Sequence, residues 1–138
     1  MKRADIVTEA RAWLDVPWEH QGRSRLGVDC VGLVQKVGDK FGAKYVDLSG
    51  YSRMSNNVTF LRHLRKFTKP APISGNKVGM IGVFRQVVYP CHVGIFSEKN
   101  GVIQIINSRA DRRKVVEEPY EGSGFELIEL LAYPGLED

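Results

Sequence analysis

The chain has 138 residues, of which 43% are hydrophobic and 26% are charged, and its formal net charge is +4. This balance excludes a disordered or fibrous chain and predicts one globular domain, residues 1–138. A charge of this size permits an anionic partner without requiring one. Two cysteines are too few for a disulfide-stapled scaffold, and no run approaches the roughly 18 apolar residues that a membrane helix needs.

The first half of the chain is predicted to be helical. Asp29 is a good N-cap for the helix that follows it, and the apolar residues of each segment recur at helical spacing. Pro17, Gly22 and Gly27 mark the segment between the first two helices as a loop. The predicted helices are residues 4–14, a helix that begins at Asp29–Cys30 and ends at Gly42, and residues 58–67.

The second half is predicted to form an antiparallel sheet. From residue 79 onwards the sequence changes to β-branched and aromatic runs separated by turn signals. The predicted strands are MIGVFRQVV, CHVGIFSE, GVIQIINS, KVVEE and FELIELLAY. Helices followed by strands, with no internal repeat, indicate an α+β fold in which N-terminal helices pack on an antiparallel sheet.

Cys30 is the residue that points most clearly to chemistry. It follows a predicted N-cap directly, in the first turn of a helix, where unpaired backbone N–H groups and the helix dipole favour an anion. This setting lowers the pKa of a thiol and makes the thiolate available as a nucleophile. Gly27 and Gly32 are predicted to leave room for a substrate backbone. The alternative for a free cysteine is a small buried apolar residue.

A nucleophilic thiol needs an imidazole to accept its proton and to return it to the leaving group. His92, near the start of a predicted strand, is the candidate base. The next strand offers Gln104 and Asn107 to orient the ring, in an arrangement of the papain kind. An odd-length loop between the strands would place Gln104 on the face of His92, whereas a two-residue turn at Asn100–Gly101 would place Asn107 there.

Other cysteine and histidine residues are predicted to have different roles. Strand alternation predicts that Cys91 points away from His92 and packs in the fold. His63 lies on the polar side of its helix and is predicted to be solvated. His20, in the loop that leads to Cys30, is expected to contact substrate.

The basic residues are predicted to lie on solvated faces, because no aromatic residues are interleaved with them as single-strand binding would require. The sequence also contains no phosphate loop, dinucleotide-binding glycine pattern or zinc-protease helix. We therefore expect no nucleic-acid partner, no metal and no cofactor. The basic clusters are Arg23 and Arg25; Arg62, Arg65 and Lys66; and Arg109, Arg112, Arg113 and Lys114.

The chain resembles the NlpC-type cysteine peptidases of bacterial cell walls in five segments. These segments are ARAWLDVPWEHQG, GVDCVGLV, GMIGVF, HVGIF and VIQIIN, and they occur in the order of the family. The match runs from about residue 6 to about residue 108, and DC-x-GLV with HVGI downstream is its most specific part. The HQG before the cysteine, the small size and the lack of a secretion signal resemble the members that phage tails carry.

The resemblance implies a pared-down papain-like domain with the nucleophile at Cys30 and the base at His92. The family's third residue lies twelve positions after the base, which is Gln104 here and favours the odd-length loop. Asp29 is implied to help hold the free amine of a substrate peptide. The implied reaction is hydrolysis of peptidoglycan stem peptides between D-isoglutamate and a diamino acid. The backbone N–H of Cys30 and the Trp18 indole are candidate oxyanion donors.

The sequence departs from the family pattern at four positions. Trp18 replaces a Tyr, Val31 a Ser, Met80 an Asp, and Gln104 the commoner His. The substitutions at Trp18, Val31 and Met80 keep open an alternative function, a tail-assembly, structural or wall-binding module with the same fold and little catalysis. The first residues contain no apolar stretch of signal-peptide length, which predicts synthesis in the cytoplasm without a signal peptide. With the resemblance, this suggests association with a virion, phage tail proteins as partners and delivery to the cell wall, with no membrane partner.

Overall fold

A computed structural model describes residues 1–43, 58–85 and 92–137. The helices are α1 (Arg3–Arg11), α2 (Cys30–Lys40) and α3 (Val58–Arg65). The strands are β1 (Arg23–Ser24), β2 (Gly27–Val28), β3 (Lys69–Ala71), β4 (Ile81–Arg85), β5 (His92–Lys99), β6 (Val102–Arg109), β7 (Lys114–Pro119) and β8 (Glu126–Ala132). In the part of the chain that the structure describes, no helix is long and apolar enough to cross a membrane.

Six strands form one antiparallel sheet in the order β3-β8-β4-β5-β6-β7, and β1 and β2 form a separate small hairpin. The predicted α+β class is confirmed. Two short elements were not predicted. The β1–β2 hairpin lies in the predicted loop, and β3 contains Pro70. Because β3 is an edge strand, its proline does not interrupt a ladder on both sides.

The two faces of the large sheet carry different hydrophobic clusters. The face under the helices packs against α1 and α2, and we call this group the helix-side cluster; from the sheet it includes Val83, Val93, Ile95 and Ile106. The opposite face carries an aromatic cluster of Met80, Phe84, Phe96, Ile105, Phe125 and Leu130. Because side chains alternate along a strand, each residue of β5 and β6 belongs to one of these two environments.

The glycines near Cys30 make room for the protein's own loop, and the prediction that they accommodate a substrate backbone is wrong. A Cβ atom added at Gly32 would overlap the backbone carbonyl oxygen of Gly22, and one added at Gly27 would overlap the side chain of Glu19. Gly22 therefore lies directly against the first turn of α2, and Glu19 lies against β2. The sequence requires glycine at these positions because no Cβ fits there.

We expect Gly32→Ala to destabilise the fold, although alanine favours a helix interior by about 1 kcal/mol over glycine. Overpacking against a backbone oxygen should lower the free energy of unfolding by about 1–3 kcal/mol. Urea titration followed by circular dichroism measures the change. The control is Lys40→Ala, at an exposed position of the same helix, which should alter stability little. A Gly32→Ala protein as stable as the wild type would contradict the loop contact.

Candidate active site

The first turn of α2 is fixed by a buried carboxylate. Asp29 is 4% exposed and is the N-cap of α2, where one oxygen accepts a hydrogen bond from the backbone N–H of Gly32 at 2.8 Å. The same oxygen lies 3.0 Å from Arg23 Nη1, and the other accepts from the backbone N–H of Gln21 at 2.8 Å. Asp29 thus ties loop, hairpin and helix together. Its ion pair with Arg23 means that the implied substrate amine would have to share this carboxylate with a guanidinium.

A buried hydrogen bond brings the start of α2 to the end of β6. Ser108 Oγ donates to the backbone oxygen of Val28 at 2.7 Å, two residues before Cys30. Helix α2 also packs on β5 and β6. Cys30 is half-buried and packs against the helix-side cluster. The nucleophile candidate therefore lies at the end of the sheet where β5 begins with His92.

His92 and Asn107 meet directly. The distance from His92 Nε2 to Asn107 Oδ1 is 2.8 Å, and both residues are buried, His92 at 8% exposure. The imidazole lies in the aromatic cluster, with its ring centroid 5.1 Å from that of Phe125 and 6.5 Å from that of Phe84. The ring is therefore held by packing against these aromatic side chains and by the hydrogen bond to Asn107.

The tautomer of His92 follows from the hydrogen bonds that Asn107 makes. Asn107 Nδ2 donates to Glu118 Oε2 at 3.0 Å, so its carbonyl oxygen must be the atom that faces the ring. An amide oxygen is only an acceptor, and His92 Nε2 must therefore carry the hydrogen of this bond. In the neutral ring, Nδ1 then keeps its lone pair. This is the nitrogen that can accept a proton.

Burial is the main reason that the pKa of His92 lies below its ordinary value. The hydrogen bond with Asn107 raises the pKa, and the positive charge of Arg109 lowers it further. The net effect keeps the imidazole neutral at neutral pH. A neutral imidazole is the form that a general base requires.

Gln104 does not orient the ring, and the prediction that it does is wrong. Asn100 and Gly101 both have positive φ angles, 51° and 80°, and form the two-residue turn that pairs Lys99 with Val102. This register pairs Gln104 with Ser97, on the face opposite to His92. Gln104 is buried, and its Nε2 lies 3.5 Å from the backbone oxygen of Val102. Counting twelve positions from His92 selects the wrong residue, because that count assumes an odd-length loop and the loop here has two residues.

Trp18 and His20 lie on the loop that borders α2. Trp18 is half-buried, pairs in parallel with Val28 in an isolated bridge, and donates its backbone N–H to the backbone oxygen of Arg113 at 3.0 Å. His20 is half-buried, and its Nε2 lies 3.4 Å from Gln21 Nε2. Both residues therefore flank the N-terminus of the helix that begins at Cys30.

The remaining predictions have mixed outcomes. His63 is half-buried beside Phe67, with ring centroids 5.4 Å apart, so its ring is only partly exposed to solvent. Val31 and Met80 are buried in the two hydrophobic clusters. Cys91 lies outside the described residues. Within residues 1–43, 58–85 and 92–137 no group of three His, Cys, Asp or Glu side chains could hold a metal ion.

Sequence reasoning missed the residues beyond Asn107. Glu118 bonds Asn107, and Arg109 Nη1 lies 2.7 Å from Glu118 Oε1. Arg109 was assigned to a solvated basic cluster, but the guanidinium also binds Asp111 through two bonds of 2.9 and 2.6 Å. Strand alternation in KVVEEP puts Glu117 and Glu118 on opposite faces, but it does not indicate which of them faces Asn107.

Solved structures share this architecture across almost the whole chain. The NlpC/p60 domain of the peptidoglycan hydrolase SagA is 17% identical with a TM-score of 0.67, covering 96% of this chain and 98% of that one. The fold is that of the NlpC/p60 domains. An NlpC/p60 family protein from Bacillus cereus is 18% identical with a TM-score of 0.70, and the alignment covers 95% of this chain but 40% of that protein.

The peptidoglycan hydrolase RipB from Mycobacterium tuberculosis is 19% identical with a TM-score of 0.64, over 94% of this chain and 63% of that one. No protein-family model matches the sequence, and no curated protein matches it either. At these identities the similarity establishes the NlpC/p60 fold.

The lowered pKa of His92 predicts how stability depends on pH. As the pH falls through about 6.5, the unfolded chain binds a proton at this histidine before the folded protein does, so the free energy of unfolding should fall. Urea titrations between pH 8 and pH 5.5 measure this slope.

His92→Gln should flatten the slope, because it removes the group whose pKa is lowered. The lowered pKa values of Asp111 and Glu117 do not interfere, because the stabilisation that they provide is lost only near and below pH 4.5. A slope that survives in His92→Gln would contradict the assignment.

Proposed function

We propose that the protein is a thiol hydrolase of peptidoglycan stem peptides, with Cys30 as nucleophile and His92 as base. The observation that carries the proposal is the buried His92–Asn107 pair at the end of the sheet on which the Cys30 helix packs. Cys, His and Asn in these roles form a catalytic arrangement of the papain kind. The NlpC/p60 fold of peptidoglycan hydrolases such as SagA and RipB supports the choice of substrate.

The proposed reaction uses His92 Nδ1 twice. The thiol of Cys30 transfers its proton to Nδ1 as sulfur attacks the peptide carbonyl carbon, and the imidazolium then protonates the leaving amine. The resulting thioester is attacked by water, which gives its proton to Nδ1. The carboxylic acid leaves and the thiol is restored. Asn107 holds the ring throughout through Nε2–H.

The helix N-terminus supplies the proposed oxyanion stabilisation. The backbone N–H of Cys30, in the first turn of α2, is the primary candidate donor, and the Trp18 indole is the second. Such donors act best where water is excluded. His20 lies on the same loop and is proposed to contact the substrate peptide.

The finer aspects of the proposal come from the sequence resemblance. The bond between D-glutamate and a diamino acid is the proposed target, and the phage tail branch the proposed origin. We also propose synthesis in the cytoplasm followed by delivery to the wall on a virion, with tail proteins as partners. Muropeptide mass spectrometry after digestion of purified peptidoglycan identifies the bond that is cleaved.

A second candidate function is a binding module that keeps the fold with little catalysis. It is favoured by two observations, the Arg23–Asp29 ion pair and the attachment of Cys30 and His92 to different hydrophobic clusters. Thiol reactivity distinguishes the two functions. In a Cys91→Ser background, Cys30 of an enzyme should be alkylated rapidly by iodoacetamide at neutral pH and slowly after His92→Ala. An equally slow thiol in both proteins supports the module.

We expect Cys30→Ala to abolish the release of muropeptides while lowering the melting temperature only slightly, because the substitution removes a single half-buried sulfur atom. Digests of purified peptidoglycan are analysed by mass spectrometry, with the thermal melt recorded on the same sample. Cleavage by Cys30→Ala at the wild-type rate would refute the mechanism.

Asn107→Ala and Gln104→Ala separate the two orienting candidates. Asn107→Ala leaves the buried Nε2–H of His92 without its acceptor, so turnover should fall by roughly 100-fold, the scale of a misplaced catalytic group. Gln104 is a buried amide on the other face, so Gln104→Ala should leave the ring in place and alter turnover by less than about threefold. Initial rates of muropeptide release at saturating substrate measure both. The opposite ranking would favour Gln104.

A further inference from the structure

We propose that Glu118, held by Arg109, is a positioning residue that selects the amide orientation of Asn107 and thereby determines which nitrogen of His92 carries the proton. The inference about the ring follows from geometry alone. Its catalytic consequence rests on the proposed thiol hydrolase function.

The register of β6 and β7 places Glu118 on the same face as Asn107. Glu118 pairs with Ile105, a member of the aromatic cluster, and Asn107 lies two residues further along β6. The carboxylate uses its two oxygens on two donors, Oε2 on Asn107 Nδ2 at 3.0 Å and Oε1 on Arg109 Nη1 at 2.7 Å. The oxygen of Glu118 that faces the Asn107 amide can therefore only accept a hydrogen bond.

This acceptor distinguishes the two orientations of Asn107. A reversed amide would direct its oxygen at the carboxylate, so that two acceptors faced each other, and its NH₂ group at His92 Nε2. His92 would then have to accept at Nε2 and carry its proton on Nδ1. The carboxylate thus favours the Nε2–H tautomer, which an isolated asparagine could not select. It leaves Nδ1 ready to accept a proton.

Arg109 keeps the carboxylate in place. Its guanidinium bonds Glu118 on one side and Asp111 on the other, and it lies 5.5 Å from the ring centroid of Phe125. Phe125 also packs on the imidazole. The hydrogen bonds therefore run without a break from Asp111 through Arg109, Glu118 and Asn107 to His92.

Glu118→Gln tests the proposal with little change of shape. Glutamine has one oxygen for the two donors, Arg109 and Asn107, so Asn107 should populate both orientations. Selective ¹⁵N labelling of histidine and NMR at pH 7.5 measure the tautomer of His92. We expect mainly Nε2–H in the wild type and a mixture in Glu118→Gln. Glu118→Ala, which leaves room for water, should also give a mixture.

The matched control is Glu117→Gln. Glu117 is the adjacent residue, its carboxylate is equally engaged by Arg11, Ser97 and Lys99, and it lies on the opposite face. Its substitution should affect stability but leave the tautomer of His92 as in the wild type. If removing any carboxylate from this strand changed the tautomer of His92, both Glu118→Gln and Glu117→Gln would show the change.

Three results would overturn the proposal: a wild-type ring in the Nδ1–H form, an unchanged tautomer in the Glu118 variants, or the same change in Glu117→Gln. The NMR result does not depend on any substrate, so failure of the hydrolase proposal would show separately as wild-type protein that releases no muropeptides. With an active enzyme, Glu118→Gln should lower kcat by about tenfold with KM unchanged, because positioning and not substrate binding is lost.

Discussion

The register of β5 and β6 decides which side chains can meet His92, and a single turn sets that register. Asn100 and Gly101 adopt the left-handed conformations of a two-residue turn whose twist matches that of the flanking strands. A shift of one residue would move every side chain of β6 to the other face. Asn107 would then leave the imidazole and Gln104 would move to its face. The geometry of the candidate site therefore depends on two residues at the far end of the hairpin.

Adjacent residues of β6 and of β7 serve opposite faces of the sheet. Ser108 points to the helix side and holds Val28, while Asn107 points to the aromatic cluster and holds His92. On β7, Glu117 binds Arg11 of α1, and Glu118 binds Asn107. Buried polar groups are costly unless they are paired, and these four side chains have partners on their own face of the sheet. Strand alternation thus separates the contacts that dock the helices from those that orient the imidazole.

The sequence could nominate Cys30 and His92 as candidate reactive residues, but it could not choose the residues that contact His92. Cys30 after an N-cap aspartate and His92 at the start of a strand are local signals, and the α+β order follows from hydrophobic periodicity. Choosing Asn107 over Gln104 required the strand register, because both residues are amides on the same strand. Glu118 was missed because its role depends on a pairing between β6 and β7 that no local pattern reports.

The thiol of Cys30 and the imidazole of His92 pack in different hydrophobic clusters of the fold. Cys30 packs with the helix-side cluster, and His92 packs beside Phe84 and Phe125. What relates them is the docking of the α2 N-terminus on β6 through the Ser108–Val28 bond, reinforced by Asp29 and the loop at Gly22. The tight fit at Gly32 therefore has a consequence beyond stability. Any backbone shift of that turn moves Cys30 relative to His92, which packs in the aromatic cluster.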